Sequence, residues 1–355
     1  MLTNRRKSIA FNVFQRYKKN ATKLHELNSL FWECTLRCNL QCLHCGSDCS
    51  KDVTAPDMPL NDFLKALDST SKDIPPRKLF IIFSGGEPLM RKDLEECGKA
   101  VTDRGYKWGM VSNGLALTKE RLNSLLESGM KSISISLDGL EESHNTLRNH
   151  PKSFENAIRA IQLVSQVPKL TFDVITCVSE LNLHQLNEIK ELLISRNVKN
   201  WRINTIFPVG RGAINKQLQL SSEGFTNLMN FISDTRKEKR INLSYSCEGF
   251  LGDYEGEVRD SFYFCRAGIN IGSILIDGSI SGCTNIRSNF IQGNIYKDDF
   301  MTIWNTKFEK YRNREWCRKG VCENCESFAI CEGNGMHLYN ENEELQVCHL
   351  NRIIL

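Results

Sequence analysis

The chain has 355 residues, 25% charged and 41% hydrophobic, enough for one large α/β domain with a smaller appendage and typical of a globular protein. A formal net charge of +4 is too small to argue for nucleic acid, and there is no run of 18 apolar residues to span a bilayer. Residues 1–30 lack the continuous apolar core of a secretory signal, so the 15 cysteines point to a reducing cytoplasm and to metal or cluster binding rather than to a disulfide scaffold.

Residues 1–30 are locally basic: Arg5, Arg6, Lys7, Arg16, Lys18, Lys19 and Lys23 face a single acid, Glu26. Ile9, Val13, Phe14 and Tyr17 fall on one helical stripe, which predicts an N-terminal helix packed on the main domain, with membrane-surface or partner contact as the alternative. Strand-like and helix-like runs then alternate. Residues 31–36 form the first candidate strand. Leu60, Phe63, Leu64 and Leu67 mark one face of a helix. Residues 79–84 (LFIIFS) and 106–112 read as strands, and Thr118 is placed to cap a helix carrying Leu122, Leu125 and Leu126 that Gly129 ends. Residues 131–137, 170–178 and 200–207 supply three more strands. Repeated strand–helix units imply a parallel sheet with right-handed crossovers. Six units are too few to close an eight-stranded barrel. After Pro208-Val209-Gly210-Arg211-Gly212 comes a polar helical bridge whose basic cluster, residues 237–240, reads as a solvated face. From Cys265 onward short apolar pieces, glycines and close-set cysteines replace the helical pattern. The domain boundary is expected within residues 243–265, giving three parts: 1–30, 31–242 and 243–355.

Two patterns carry chemistry. Cys38, Cys42 and Cys45 are spaced C-x3-C-x2-C directly after the first strand, one thiol short of a fully ligated [4Fe-4S] cluster. Zinc is the plainer reading of three close cysteines, with Cys34, His44 or Cys49 as a fourth ligand. The second pattern, Ser84-Gly85-Gly86-Glu87-Pro88, ends the second strand. Alone it is a glycine turn. Combined with the cysteine loop it resembles the radical SAM superfamily, and the resemblance runs over most of the chain.

That resemblance implies a partial (β/α)6 TIM-like barrel with chemistry at the C-terminal ends of its strands. It also implies a cluster whose open iron is chelated by S-adenosylmethionine, and reductive cleavage of that molecule to methionine and a 5′-deoxyadenosyl radical that abstracts hydrogen from substrate. Carried over residue by residue, Gly85 and Gly86 would approach the methionine end. Glu87 would contact the amino group or support it from beside. Asn113, in Ser112-Asn113-Gly114, would line the pocket, Ser136, in Ser136-Leu137-Asp138-Gly139, would meet the ribose or carboxylate, and Arg148 the carboxylate. Trp32 reads as core. Downstream, Cys265, Gly278 and Cys283, then Cys322, Cys325, Cys331 and Cys348, resemble the SPASM domain and its two auxiliary [4Fe-4S] clusters. Zinc on the last four is the alternative. Gly335 stands where the pattern has a further cysteine. The first auxiliary cluster then needs Cys247 or Cys317, or has an open iron, or is absent, or a single cluster sits on Cys265, Cys283, Cys322 and Cys325. Cys34, Cys49, Cys97 and Cys177 read as buried thiols.

The family resemblance implies a peptide or protein maturase, supplied with electrons by a reductant such as flavodoxin or ferredoxin. The W-E-C-T opening and Cys45-Gly46-Ser47-Asp48-Cys49 resemble a subgroup paired with a small lipoprotein. Thr284 replaces the Asp that sulfatase maturases use as a base, which argues against that branch. Small-molecule chemistry of the haem-pathway kind is the alternative, and a non-catalytic cluster-binding protein the third reading.

Overall fold

The computed structural model describes residues 5–353 apart from Asp48 and Cys247, and excepting the side chains of Arg5 and Arg6. Strands β1 (Ser29–Thr35), β2 (Phe80–Gly85), β3 (Lys107–Ser112), β4 (Met130–Ser136), β5 (Thr171–Val178) and β6 (Asn200–Thr205) lie side by side in chain order. Every adjacent pair is parallel, so each connection crosses over through helix: α2 (Leu60–Thr70), α3 (Leu94–Asp103), α4 (Lys119–Glu127), α5 (Glu141–Arg148) with α6 (Ser153–Ser165), and α7 (Leu186–Ser195). Parallel strands covered by helices are buried on both faces. The core shows it: Trp32 stacks on Phe63 of α2 at 4.1 Å, Phe83 meets Trp32 edge-on at 5.1 Å, and Phe83 stacks on Trp108 at 4.8 Å. Trp32 is core, its indole N–H on the Met58 sulfur. Thr118 caps α4 by accepting a hydrogen bond from the Arg121 amide at 3.1 Å.

Two features of the sheet differ from the sequence reading. A seventh parallel strand, β7 (Asn242–Tyr245), follows α8 (Arg211–Ile214) and α9 (Ser222–Glu238) and pairs with β6. Its four residues, half of them polar, are too short a run for the alternation to register. The cysteine-rich segment also does not fold apart from the barrel. Its strand β8 (Ile271–Ile274) pairs parallel with β1, and β9 (Ser279–Ser281) and β10 (Gly293–Asn294) continue antiparallel from it. One ten-stranded sheet therefore runs β10-β9-β8-β1-β2-β3-β4-β5-β6-β7. Among the described residues no pairing joins its two edges, so the barrel is open.

The N-terminal helix α1 (Arg5–Leu24) packs on the domain by a different face from the one expected. Phe11 and Lys18 are buried, and Phe11 and Phe14 meet the Phe262 ring at 5.1 and 5.6 Å. Ile9 and Val13 point outward, and Tyr17 is half exposed with its hydroxyl accepting from Arg266 at 3.3 Å. The rings of residues 262 and 264 outcompete the aliphatic stripe because two aromatic side chains bury more surface than an isoleucine and a valine.

Candidate functional site

The site forms where β1 to β6 end. The loop after β1 carries Cys38, Cys42 and Cys45 and is held by donors from several strand ends. The Gly86 amide donates to Thr35 O at 2.7 Å and that of Glu87 to Arg37 O at 2.9 Å. A Cβ on Gly85 would lie 2.1 Å from Thr35 O and one on Gly86 2.3 Å from Arg37 O, so only glycine allows this approach. From the loop after β6, Arg211 donates to Cys42 O at 2.8 Å and Cys49 O at 3.0 Å, and Asn215 to Leu43 O at 2.8 Å.

Glu87 is buried, and its carboxylate accepts from the Leu89 amide (3.1 Å), Ser112 Oγ (2.9 Å) and the Asn113 amide (2.7 Å). Burial raises its pKa despite these bonds. Geometrically it joins the end of β2 to that of β3. Asn113 in turn donates to Asn39 Oδ1 at 2.8 Å and lies 4.0 Å from Cys38 Sγ.

Arg148 donates from Nε to Asp138 Oδ2 at 2.6 Å and lies 3.8 Å from Cys42 Sγ. Asp138 is fully buried and also accepts from the Cys177 amide at 2.9 Å, with His44 Nε2 3.5 Å away. Burial works against its charge, but Arg148 and the neighbouring histidines outweigh it and hold the carboxyl down at about 2. Burial pushes the His44 imidazole down to about 4, leaving it neutral at pH 7.

A cavity of about 250 Å³ opens beside these groups, lined among others by Cys45, Ser136, Asp138, Arg148, Asn204 and His337. A second, of about 320 Å³, shares Gly46, Val209, Asn285 and His337 with it and runs out between the loop after β6 and residues 285–290 and 336–341. The three cysteines, Asn113, Ser136 and Arg148 thus gather at one end of the barrel, with Gly85, Gly86 and Glu87 bracing the loop. Arg211, Asn215 and the bracing role of Asp138 were missed, and His44, considered only as a zinc ligand, faces Asp138 instead. Gly-Arg-Gly directly after a strand was the one signal for Arg211. Cys177, expected as a core thiol, instead lines the first cavity, whereas Cys34, Cys49 and Cys97 are buried.

The same test applies to the C-terminal cysteines. Cys322 lies near Cys325 and Cys348, and Cys331 near Cys322 and Cys348. The Asn334 amide donates to Cys331 Sγ at 3.2 Å and its side chain approaches Cys348 Sγ at 3.8 Å. Such donors are the ones that tune cluster sulfurs. Cys283 lies beside Cys265. Arg314 is buried, donates to Cys317 Sγ at 3.3 Å and Asn334 O at 3.0 Å, and has no carboxylate partner among the described residues. Sulfur from Cys317 and Cys265 sustains its charge against burial. A buried cation beside thiols and without a carboxylate partner among the described residues suits an anionic cluster there. Gly335 has no room for a cysteine without rearrangement, since a Cβ would meet Glu248 O at 2.7 Å. Cys247 lies outside the described residues. Among them, no three His, Cys, Asp or Glu side chains are grouped closely enough to hold a metal ion.

An open parallel barrel, a three-cysteine loop at the end of its first strand and a cysteine array joined edge-on define a class of iron–sulfur enzyme. The chain is a radical SAM superfamily enzyme with a C-terminal SPASM domain: the family model of the radical SAM superfamily matches residues 32–193, and that of the SPASM iron–sulfur cluster-binding domain matches residues 265–326. With that membership come [4Fe-4S] clusters and S-adenosylmethionine. The chain is 29% identical over 327 residues to AdoMet-dependent heme synthase of Nitratidesulfovibrio vulgaris, covering 87% of each. It is 28% identical over 313 residues to mycofactocin maturase MftC of Mycolicibacterium smegmatis, covering 86% of this chain and 77% of that one. Its fold matches that of Streptococcus suis SuiB bound to S-adenosylmethionine with a TM-score of 0.68 at 18% identity, over 90% of this chain and 76% of that one. Among the described residues no helix is long and apolar enough to cross a membrane.

Proposed function

We propose that the enzyme oxidatively modifies a peptide or protein segment that enters through the second cavity and reaches the first at His337. The observation that carries this reading is the charge state of the lining. The two arginines there, Arg148 and Arg287, are each paired with a buried carboxylate, Asp138 and Glu33. A haem-type tetrapyrrole bears carboxylates, and among the described residues these cavities offer it no arginine free of a carboxylate. A peptide backbone needs neutral donors and acceptors instead, and Asn204, Asn285, Asn340 and Gln346 supply them. The relatives include peptide-acting proteins, MftC and PqqA peptide cyclase. The tetrapyrrole reading is kept as the second, because the similarity to heme synthases extends over most of both chains.

In this reading Cys38, Cys42 and Cys45 hold the first cluster, and the cluster with bound S-adenosylmethionine supplies the hydrogen-abstracting radical. The chain's own residues do the rest. Gly85 and Gly86 give the cofactor access to backbone carbonyls. Asn113, Ser136 and Arg148 line its pocket, and Glu87 and Asp138 fix their positions. His337, at the junction of the cavities and held neutral by burial, is placed to take the proton that leaves an oxidised substrate carbon. Cys322, Cys325, Cys331 and Cys348 hold one auxiliary cluster, and Cys265 and Cys283 contribute to a second. The domain division at 1–30, 31–242 and 243–355 is kept as a functional one, and the free cysteines suit the cytoplasm.

The test is anaerobic reconstitution with S-adenosylmethionine and dithionite, with Cys45→Ala as control. Release of 5′-deoxyadenosine should vanish in the variant. Peptides encoded near the gene and an iron porphyrin are then offered in parallel and followed by mass. Loss of mass from the porphyrin alone would refute the peptide reading.

A further inference from the structure

The outer face of α1 has no role in the site described above. Ile9, Val13, Tyr17 and Leu24 are 59, 64, 48 and 54% exposed, and their spacings of four and seven residues put them in one row. Arg16, Lys19 and Lys23 are exposed alongside, with no carboxylate partner among the described residues. The 20-residue helix contains no acid. Its other described cations turn inward, Lys7 to Glu257 at 3.1 Å and Lys18 to Glu332 at 2.9 Å.

What lies under the helix gives this face its meaning. Lys18 donates to Ile330 O and pairs with Glu332, the two residues flanking Cys331. Phe14 meets Phe264 at 6.4 Å, and Arg266 donates to the Tyr17 hydroxyl at 3.3 Å, so the residues flanking Cys265 also rest on α1. A partner on the outer face would sit one helix diameter, about 10–12 Å, from the segments that carry two auxiliary-cluster cysteines.

We propose that the outer face of α1 docks an acidic one-electron carrier protein, of the flavin or iron–sulfur kind, which passes electrons to the auxiliary cluster site beneath it. The proposal rests on reading Cys265 and Cys331 as cluster ligands. One electron moves, the carrier is oxidised by one and the cluster reduced by one, and no bond forms or breaks. An unpaired cationic row steers an acidic partner, and one helix face matches the small interfaces of transient redox complexes. An anionic membrane would also meet cations and an apolar row. The carrier is favoured because α1 is seated over the segments that carry Cys265 and Cys331.

The experiment uses full-length, anaerobically reconstituted protein and two variants, Arg16→Glu/Lys19→Glu/Lys23→Glu and the milder Arg16→Ala/Lys19→Ala/Lys23→Ala. A pre-reduced acidic flavodoxin is the probe, and dithionite the carrier-independent reductant. Flavodoxin affinity is measured against salt, with iron content and 5′-deoxyadenosine release. The charge-reversed variant should bind flavodoxin about tenfold more weakly at low salt and lose flavodoxin-driven release in proportion. Its iron content and dithionite-driven release should match wild type, and the alanine variant should fall between. Equal flavodoxin affinity and release in wild type and both variants overturns the proposal. So does binding of wild type, but not of the variants, to vesicles containing phosphatidylglycerol together with unchanged flavodoxin-driven release in the variants, since the face would then belong to a membrane. Failure of wild type itself with dithionite would sink the cluster reading instead.

Discussion

Replacing Asp138 with asparagine is the most direct test of how the site is held. The carboxylate is fully buried, accepts from Arg148 Nε at 2.6 Å and from the Cys177 amide at 2.9 Å, and lies 3.5 Å from His44. Asparagine keeps an acceptor for the amide but leaves the Arg148 guanidinium, 12% exposed, as an uncompensated buried charge. Removing one partner of a buried pair costs about 3–5 kcal/mol. At about 2 °C per kcal/mol for a chain of this size, that is a fall in Tm of roughly 6–10 °C, read by anaerobic calorimetry. Arg148→Gln in the same chain removes the stranded charge, so the double variant should recover part of the loss and lie above the sum of the two single effects. A fall below about 2 °C, or strictly additive single effects, would refute the claim that this pair is what holds Arg148 beside Cys42.

Four further outcomes follow from the same geometry. Asp138 is held at about 2 against an ordinary 3.8, so it contributes stability above pH 4 that is lost as pH falls through 2. That acid limb, about 2 kcal/mol, should be missing from denaturation curves of Asp138→Asn. Gly86→Ala should abolish S-adenosylmethionine binding in equilibrium dialysis, because its Cβ would sit 2.3 Å from Arg37 O and the cysteine loop must shift. His337→Gln should keep 5′-deoxyadenosine release and lose product, measured as the ratio of the two by chromatography. Thr118→Ala removes only the α4 cap and should cost about 1 kcal/mol in urea unfolding with no change in turnover.

Much of the barrel was legible because its strands are apolar runs and its turns are chemically marked. The six expected strands begin and end within about two residues of β1 to β6, as boundary reading allows. The pairing of β8 with β1 was not legible, since nothing local in Ile271–Ile274 names a partner far back in the chain. The cysteines and the glycine turn were marked by spacing, and Arg148 only by the family resemblance. Their supports were not, because a buried ionic network exists only once strands meet. Asp138 appeared in a strand-end motif as if it belonged to a turn, and only the fold brings it between Arg148 and His44. The α1 stripe shows the same limit: periodicity found an apolar face, while the position of Phe262 and Phe264 decided which face was buried.

The pairing of β8 with β1 also sets a problem of timing. Strand β1 leaves the ribosome early, yet the strand that covers its edge is made about 240 residues later, roughly 10–50 s at ordinary rates of synthesis. Until then one edge of β1 is an open template for another chain. Glu33, near its end, also waits for both of its partners, the Ile276 amide and Arg287. The nascent chain is therefore most exposed to aggregation while the cysteine loop following β1 is already accessible. Early occupation of that loop, before the last third of the chain is made, would protect yield in the cell more than it would alter the stability of the finished protein.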